Sequence, residues 1–305
     1  MVLLRISLFG KFCVWCDDRV MAGMGDASKV QQLFCYLLLH RDRPHPREKL
    51  ASLFWDTTST AQSKKYLRQT LWQLQSSLEE ASGGQVILVE PEWVQINTTP
   101  HLWLDVAAFE DMFRLAQGTP GRDLSTAAAQ KLQEAVRLYQ GNLLEGWYQD
   151  WCLYERERFL HMYLDMLDKL MGFCEARQDY ENSLLYGDMI LRHDRARERT
   201  HRRLMRLYYQ AGNRTEALRQ FERCTTALGE ELGVAPARST LSLNAQIRGD
   251  ALPAIRSAEE ESTLPANLTN LPEAMSRLQQ MRATLVDLQQ QVDYCLEACQ
   301  QALQE

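Results

Sequence analysis

The 305-residue sequence contains no uninterrupted apolar stretch of about 18 residues, the length that a membrane-spanning helix requires. Its N-terminus reaches a charge at Arg5 and alternates like a strand, so it has neither the cationic start nor the cleavage site of a signal peptide. The eight cysteines are scattered without a secretory context, which is typical of reduced thiols. These absences predict a cytoplasmic protein with no membrane partner.

Catalytic and ligand-binding motifs are also lacking. The sequence has no GxxxxGK[ST] phosphate loop, no HExxH zinc motif and no nucleophile elbow, and its six histidines show no ligand pairing. Cys13 and Cys16 have the spacing of a redox motif, but their segment alternates like a strand and no second pair follows. We therefore predict no catalytic residues, no metal site and no cofactor, and hence a protein that is not an enzyme.

Charge is distributed unevenly along the chain, whose net charge is −6. Residues 28–75 carry eight Lys or Arg against three acids, whereas residues 251–305 carry three Arg against eight acids. A local cationic patch on an acidic protein suits selective binding to duplex DNA, because distant acids suppress non-specific association. A solvated charged surface explains the same excess equally well.

Residues 28–75 read as three helices, at 28–40, 46–55 and 61–75, in an order typical of DNA-binding domains. The third helix has a leucine stripe that predicts one buried face: Leu67, Leu71, Leu74 and Leu78. No acidic residue occurs from Ala61 to Leu78. The exposed side of this helix is therefore suited to phosphates and base edges.

Strands flank this helical segment. Residues 3–20 alternate and bend at Phe9-Gly10, and residues 86–89 and 93–96 predict a hairpin around Glu90-Pro91-Glu92. This hairpin has the position of a wing. Because Glu90 and Glu92 would repel backbone phosphates, insertion of its tip into a minor groove is in doubt.

From Asp105, which is typical of a capped helix start, the composition changes to helices separated by short breaks. We predict these helices at 106–117, 125–140, 150–177, 180–192, 197–211, 214–229 and 237–248. Residues 178–184 align with residues 212–218 at an offset of 34, which is the tetratricopeptide period. Arginines cluster between Arg192 and Arg206; they indicate either a solvated helix face or a site for an anion or acidic partner.

The C-terminal residues differ again. Residues 250–270 form an acidic linker, and residues 271–305 predict one helix with an apolar seam of more than four heptads. The preferred interpretation is a coiled-coil homodimer through residues 271–303. The alternative is a helix that folds back on the helical repeats.

Several short motifs give these segments a family resemblance. In the N-terminal part they are Phe9-Gly10, the helix end Leu37–His40, the segment Glu48–Trp55, and the spacing of Lys65, Leu67, Leu71 and Leu74. In the helical part they are Ala211–Arg219 and Glu230–Pro236. The sequence resembles bacterial transcriptional activators of the antibiotic-regulatory-protein type, which join an OmpR-type winged-helix domain to a bacterial transcriptional activator domain.

The resemblance implies a mainly α fold: an N-terminal α+β winged helix-turn-helix, an all-α tetratricopeptide-like domain and a C-terminal coiled-coil helix. We place the winged-helix domain at 1–99, the helical-repeat domain at 105–249, the linker at 250–270 and the coiled-coil helix at 271–305. The boundary near Thr99 leads us to expect that the two folded domains melt separately.

The implied function is sequence-specific binding of double-stranded DNA and activation by recruiting RNA polymerase and its sigma factor at promoter-proximal repeats. The expected DNA-binding residues are Lys29, Arg47, Lys49, Lys64, Lys65, Arg68, Gln69, Trp72, Gln73 and Trp93. The alternative is a protein-interaction adaptor that uses the helical repeats, with a winged helix that binds DNA weakly or not at all.

The C-terminal seam provides a test of the oligomeric state. Replacing Leu285 and Leu288 together with Asp should give a folded monomer, because two charges in the seam oppose burial against a twin helix. The variant should also occupy paired DNA sites poorly, since the second contact is no longer intramolecular. Light scattering of the parent chain measures this directly, and a parent that is already monomeric at micromolar concentration favours the fold-back helix.

Overall fold

Ten α-helices, one short 3-10 helix (Gly121–Asp123) and seven strands are present in the described part of the chain, which in this computed structural model comprises residues 4–16, 19–20, 28–82, 84–97 and 102–251. The strands are β1 (Leu4–Ser7), β2 (Cys13–Cys16), β3 (Arg19–Val20), β4 (His45–Pro46), β5 (Ile87–Val89), β6 (Trp93–Ile96) and β7 (Leu102–Leu104). The helices are α1 (Lys29–Leu39), α2 (Arg47–Phe54), α3 (Thr60–Ser82), α4 (Asp105–Leu115), α5 (Thr126–Leu138), α6 (Asp150–Glu175), α7 (Tyr180–His193), α8 (Glu198–Gln210), α9 (Arg214–Leu232) and α10 (Arg238–Arg248). The predicted linker beyond residue 251 and the coiled-coil helix lie outside the described residues.

Two small sheets enclose the first three helices. The N-terminal sheet has the order β3-β2-β1-β7, with β7 parallel to β1 and the other pairs antiparallel. In the second sheet β6 lies between β4 and β5, and both pairs are antiparallel. The hairpin predicted at 86–96 is thus confirmed. Strands β4 and β7 were not predicted, because a segment of two or three residues is too short for its sequence to indicate a strand.

Local sequence explains where the three helices begin and which face they bury. Ser28 and Gln31 form a capping box at the start of α1, in which each side chain bonds the other residue's backbone N–H. In α3 the predicted leucine stripe is buried, from Leu67 to Leu78. Both helices therefore place their apolar faces on one core, leaving the polar side of α3 in solvent.

The helices beyond α3 follow the predicted bounds within a few residues, and the repeat at an offset of 34 has a structural basis. Asp179 caps α7 and Asn213 caps α9, and each side chain accepts a bond from the backbone N–H three residues on. Gln178 and Gly212 precede these caps, both with positive φ. The same turn thus joins α6 to α7 and α8 to α9. The predicted mainly α fold class is confirmed for the described residues.

The N-terminal sheet and the helical repeats share one core. The ring of Phe9 lies 5.0 Å from that of Phe109, 4.9 Å from that of Tyr139 and 5.4 Å from that of Phe159. Backbone bonds continue the contact, since Leu144 N donates to Leu8 O at 2.8 Å. The Phe9-Gly10 bend therefore inserts into the helical part, and the positive φ of Gly10 suits glycine at that bend.

Ion pairs reinforce the same contact at the end of α1. Arg41 Nη2 lies 2.5 Å from Glu110 of α4, and Arg158 of α6 lies 2.8 Å from the same carboxylate. Arg158 also lies 2.7 Å from Glu155. These side chains are mostly buried or half-buried, so their contacts are screened less by salt than exposed pairs are.

Asp105 connects the two parts most directly. Its carboxylate is 2% exposed and accepts bonds from Ser7 Oγ at 2.7 Å, Leu8 N at 2.8 Å and Phe9 N at 2.9 Å. It also accepts from Val106 N at 2.7 Å. Burial raises the pKa of Asp105, and these four donors oppose the rise. The sequence indicated only a local helix cap, but Asp105 is the first residue of α4 and holds the end of β1.

Replacing Asp105 with Ala should lower the free energy of unfolding by roughly 3–5 kcal/mol, because it leaves buried N–H donors without an acceptor. The matched control is Asp179→Ala, which removes a less buried helix cap and should cost about 1 kcal/mol. Because the two parts share a core, we expect one unfolding transition in urea rather than the two that the domain boundary predicts. Separate transitions of the parent protein, or equal losses for both variants, would contradict this account.

Candidate nucleic-acid interface

The exposed side of α3 carries most of the predicted site residues. Lys65, Gln69, Trp72 and Gln73 are all exposed, and the indole of Trp72 is 68% exposed. The opposite face holds the leucine stripe, so the packing of α3 fixes which side chains point outward.

A groove of about 730 Å³ lies between α2, α3 and the β5–β6 wing. Four predicted site residues line it: Arg47, Lys64, Arg68 and Trp93. Lys64 and Arg68 are four residues apart on one helix and therefore share a face. The fold thus brings together residues from three elements that are up to 46 positions apart in the chain.

Two of the groove's cations are already engaged within the protein. Lys64 Nζ lies 2.6 Å from Glu48 Oε1, and this bond and the lysine's charge hold the pKa of Glu48 below its usual value. Arg47 donates from its guanidinium to Glu90 O at 3.1 Å and from its backbone N to Glu92 O at 2.9 Å. Lys64 is thus partly neutralised, whereas Arg47 ties the wing turn to the start of α2.

The wing turn itself is short and acidic. Glu90 N donates to Trp93 O at 2.9 Å, which closes the turn, and Glu90, Pro91 and Glu92 are exposed at its tip. Glu92 also lines the groove. The predicted placement of acids at the wing tip is therefore confirmed. Their negative charge repels any anion that approaches the groove.

Lys29 and Lys49 lie outside the groove lining. Lys29 is exposed at the start of α1, with Nζ 6.0 Å from the ring centre of Phe54 on α2. Lys49 is exposed on α2. Both lysines lie in the N-terminal part, but neither lines the groove with the four site residues.

Sequence reasoning missed Glu48 and Pro91 as groove residues. Glu48 precedes Lys64 by 16 positions, so no helix periodicity could pair them; only the packing of α2 on α3 does so. Within the described residues, no helix is long and apolar enough to cross a membrane, and no His, Cys, Asp and Glu side chains cluster as a metal site would require.

The described residues thus combine a winged helix with stacked pairs of helices. Residues 104–248 match the family described as bacterial transcriptional activator domain. The regulatory protein AfsR of Streptomyces coelicolor is 24% identical over 281 residues, covering 90% of this chain but only 27% of AfsR. The chain therefore spans about a quarter of that relative's length.

A solved structure shares the fold. EmbR of Mycobacterium tuberculosis, in complex with a low-affinity phosphopeptide, matches with a TM-score of 0.69 at 16% identity, covering 86% of this chain and 68% of EmbR. Together these findings show that the chain is similar to bacterial transcriptional activators of the antibiotic-regulatory-protein type. Both the matching family and AfsR are described as regulatory.

Proposed function

We propose that this chain is a sequence-specific regulator that binds double-stranded DNA through α3 and activates transcription from promoter-proximal repeats. The observation that carries the proposal is the acid-free exposed face of α3 beside a groove lined by three cations. In a winged helix-turn-helix, the recognition helix lies in the major groove. The first acids of α3, Glu79 and Glu80, come only after the leucine stripe ends.

The proposed residues divide by chemistry. Major-groove edges are read by planar donors and acceptors, so we assign base contacts to the outer face of α3. This set is Lys65, Arg68, Gln69, Trp72 and Gln73. Flexible cations position the backbone, and for phosphate contacts we propose Lys29, Arg47, Lys49 and Lys64. Trp93, half-buried beside the groove, would pack against the sugar-phosphate backbone.

Further parts of the proposal rest on the family. The similarity to transcriptional activators supports contact with RNA polymerase and its sigma factor, and a cytoplasmic location, as parts of the proposal. We also propose a homodimer through residues 271–303, which would place two recognition helices on adjacent half-sites.

An adaptor function is the second candidate, and one observation favours it. The acidic wing tip and the Glu48–Lys64 pair reduce the positive charge that duplex DNA would meet. A mobility-shift assay with DNA from upstream of the gene, at two salt concentrations, separates the candidates. Binding that weakens steeply with salt supports the DNA-binding proposal; no shift at low salt supports the adaptor.

Arg68→Ala should cost roughly 1–3 kcal/mol in binding free energy and relax specificity, if Arg68 reads a base edge with two bonds. A site enriched from randomised duplexes by the parent protein provides the measurement. The control is Arg114→Ala, which removes an exposed arginine on α4 that is paired with Asp111. If Arg68→Ala selects the same site with the same affinity, α3 does not read bases through Arg68.

Glu48→Gln should increase affinity for all duplexes to a similar extent and steepen the salt dependence by about one released ion. The reason is that Lys64 loses its carboxylate partner and becomes available to a phosphate. The control is Glu134→Gln, because Glu134 forms a similar exposed pair with Lys131 at 2.7 Å on α5. Unchanged binding of Glu48→Gln at low salt would show that Lys64 does not contact DNA, and Lys64→Ala should then also be silent.

A further inference from the structure

A second groove, of about 790 Å³, lies among α7, α8 and α9 of the helical repeats. Its walls come from α7 and α9, the second helices of two consecutive pairs, and His201 of α8 lies at its floor. This volume is within the range of small-molecule sites, roughly 300–1,000 Å³. None of the residues assigned to DNA binding lines this groove.

A chain of hydrogen bonds fixes one cation in this groove. His201 Nε2 lies 2.8 Å from Arg195 O, and His201 Nδ1 lies 2.8 Å from Gln220 Nε2. Gln220 Oε1 in turn accepts from Arg223 Nη1 at 3.1 Å. The bonds are mutually consistent when His201 is neutral and carries its proton on Nε2, and burial lowers the pKa of His201 in agreement with this.

Buried side chains that are hydrogen-bonded to one another form the floor of the groove. Gln220 is 1% exposed and His201 is 3% exposed, yet both are fully engaged in the chain that ends at Arg223. Buried polar side chains are costly unless they are bonded, so this arrangement holds the guanidinium in one orientation. An exposed arginine is normally mobile, but Arg223 is restrained by this bond and by an ion pair with Glu216 at 3.5 Å, a carboxylate with which a bound anion would compete.

A second arginine faces the same space. Arg192 of α7 lines the groove, and among the described residues it has no carboxylate within ion-pair distance. Asp188 lies one turn before it and interacts electrostatically with both Arg192 and Arg223. Four arginines and two carboxylates line the groove. Glu216 pairs with Arg219 and Arg223, and Glu230 and Glu231 pair with Arg195, which leaves Arg192 as the lining arginine without an ion pair among the described residues.

We propose that this groove binds a small organic anion, whose carboxylate or phosphate group lies between Arg192 and Arg223. Planar guanidinium groups bind both anions through paired, charge-assisted hydrogen bonds. Thr226, one turn beyond Arg223 on α9, provides a hydroxyl at the same wall, and Leu191 and Ala227 provide an apolar surface for the body of the ligand. An extended acidic peptide fits less well, because the preorganised part of the site is a single arginine.

Isothermal titration of the full chain with citrate and with inorganic pyrophosphate tests the proposal. The parent should bind at least one probe with one-to-one stoichiometry, and the stronger probe identifies the preferred anion. The double variant Arg192→Ala, Arg223→Ala should weaken that binding by about tenfold or more, since each lost pair removes a charge-assisted bond. Arg223→Lys keeps the charge but loses the planar fork, so it should bind more weakly than the parent and more tightly than the double variant.

Two controls locate the effect. Arg199→Ala removes an exposed arginine of α8 that does not line the groove and should bind as the parent does. The double variant Lys65→Ala, Arg68→Ala removes two cations of α3. If this variant still binds the probe, the proposed DNA surface is not the source of the heat. The proposal is overturned if neither probe binds at millimolar concentration, if the double variant binds like the parent, or if hexaglutamate binds the parent and the small anions do not.

Discussion

The buried carboxylate of Asp105 is the constraint on which the arrangement of this protein depends. It bonds Ser7, Leu8 and Phe9 at the end of β1 and Val106 at the start of α4, so one side chain joins the first strand to the first helix of the repeats. Because β7 immediately precedes Asp105 and runs parallel to β1, the chain is held at both ends of this contact. The ring of Phe9 thereby packs against three aromatic rings of the helical part, those of Phe109, Tyr139 and Phe159. The winged helix is therefore part of a continuous core, and α3 has a defined orientation relative to the repeats.

Sequence periodicity was sufficient for elements that bury one face over several turns. The stripe from Leu67 to Leu78 and the repeat at an offset of 34 are local patterns; the structure buries the stripe and places an equivalent cap, Asp179 or Asn213, in each repeat. Periodicity failed for β4 and β7, which are two and three residues long and exist only because a distant strand pairs with them. It failed for Asp105 for the same reason. An aspartate at a helix start gives the same sequence pattern whether its carboxylate bonds its own helix or a backbone N–H 97 positions away.

At the candidate DNA surface, too, some features could be predicted from composition, and others depend on how the helices pack. Counting charges predicted a cationic segment, and the leucine stripe predicted which face of α3 would be exposed. Counting could not show that Glu48 lies against Lys64 or that Arg47 bonds the wing turn. The first contact arises from α2 packing on α3, and the second from β4, which directly precedes Arg47, pairing with β6. An exposed pair of this kind contributes little to stability. Under the proposed function its effect is on binding, since a phosphate would have to compete with a carboxylate for Lys64. The proposed surface would then be weaker toward arbitrary DNA than its charge suggests, which would favour discrimination by the side chains of α3.

The repeats end in a second, smaller core, and α8 belongs to both. Leu204 and Leu207 of α8 are buried in the large core, whereas Met205 packs with Ala217, Leu243 and Ile247 in a separate cluster. The groove among α7, α8 and α9 therefore lies where the two cores meet, with its floor on the shared helix. Elements that pack on a small core move at lower cost than elements in a large one. A ligand that bridges Arg192 and Arg223 would join α7, which packs on the large core, to α9, which contributes to the small one. The hydrogen bonds through His201 and Gln220 join α8 to α9 at the floor, so an anion would add a restraint between α7 and α9 to the existing one between α8 and α9.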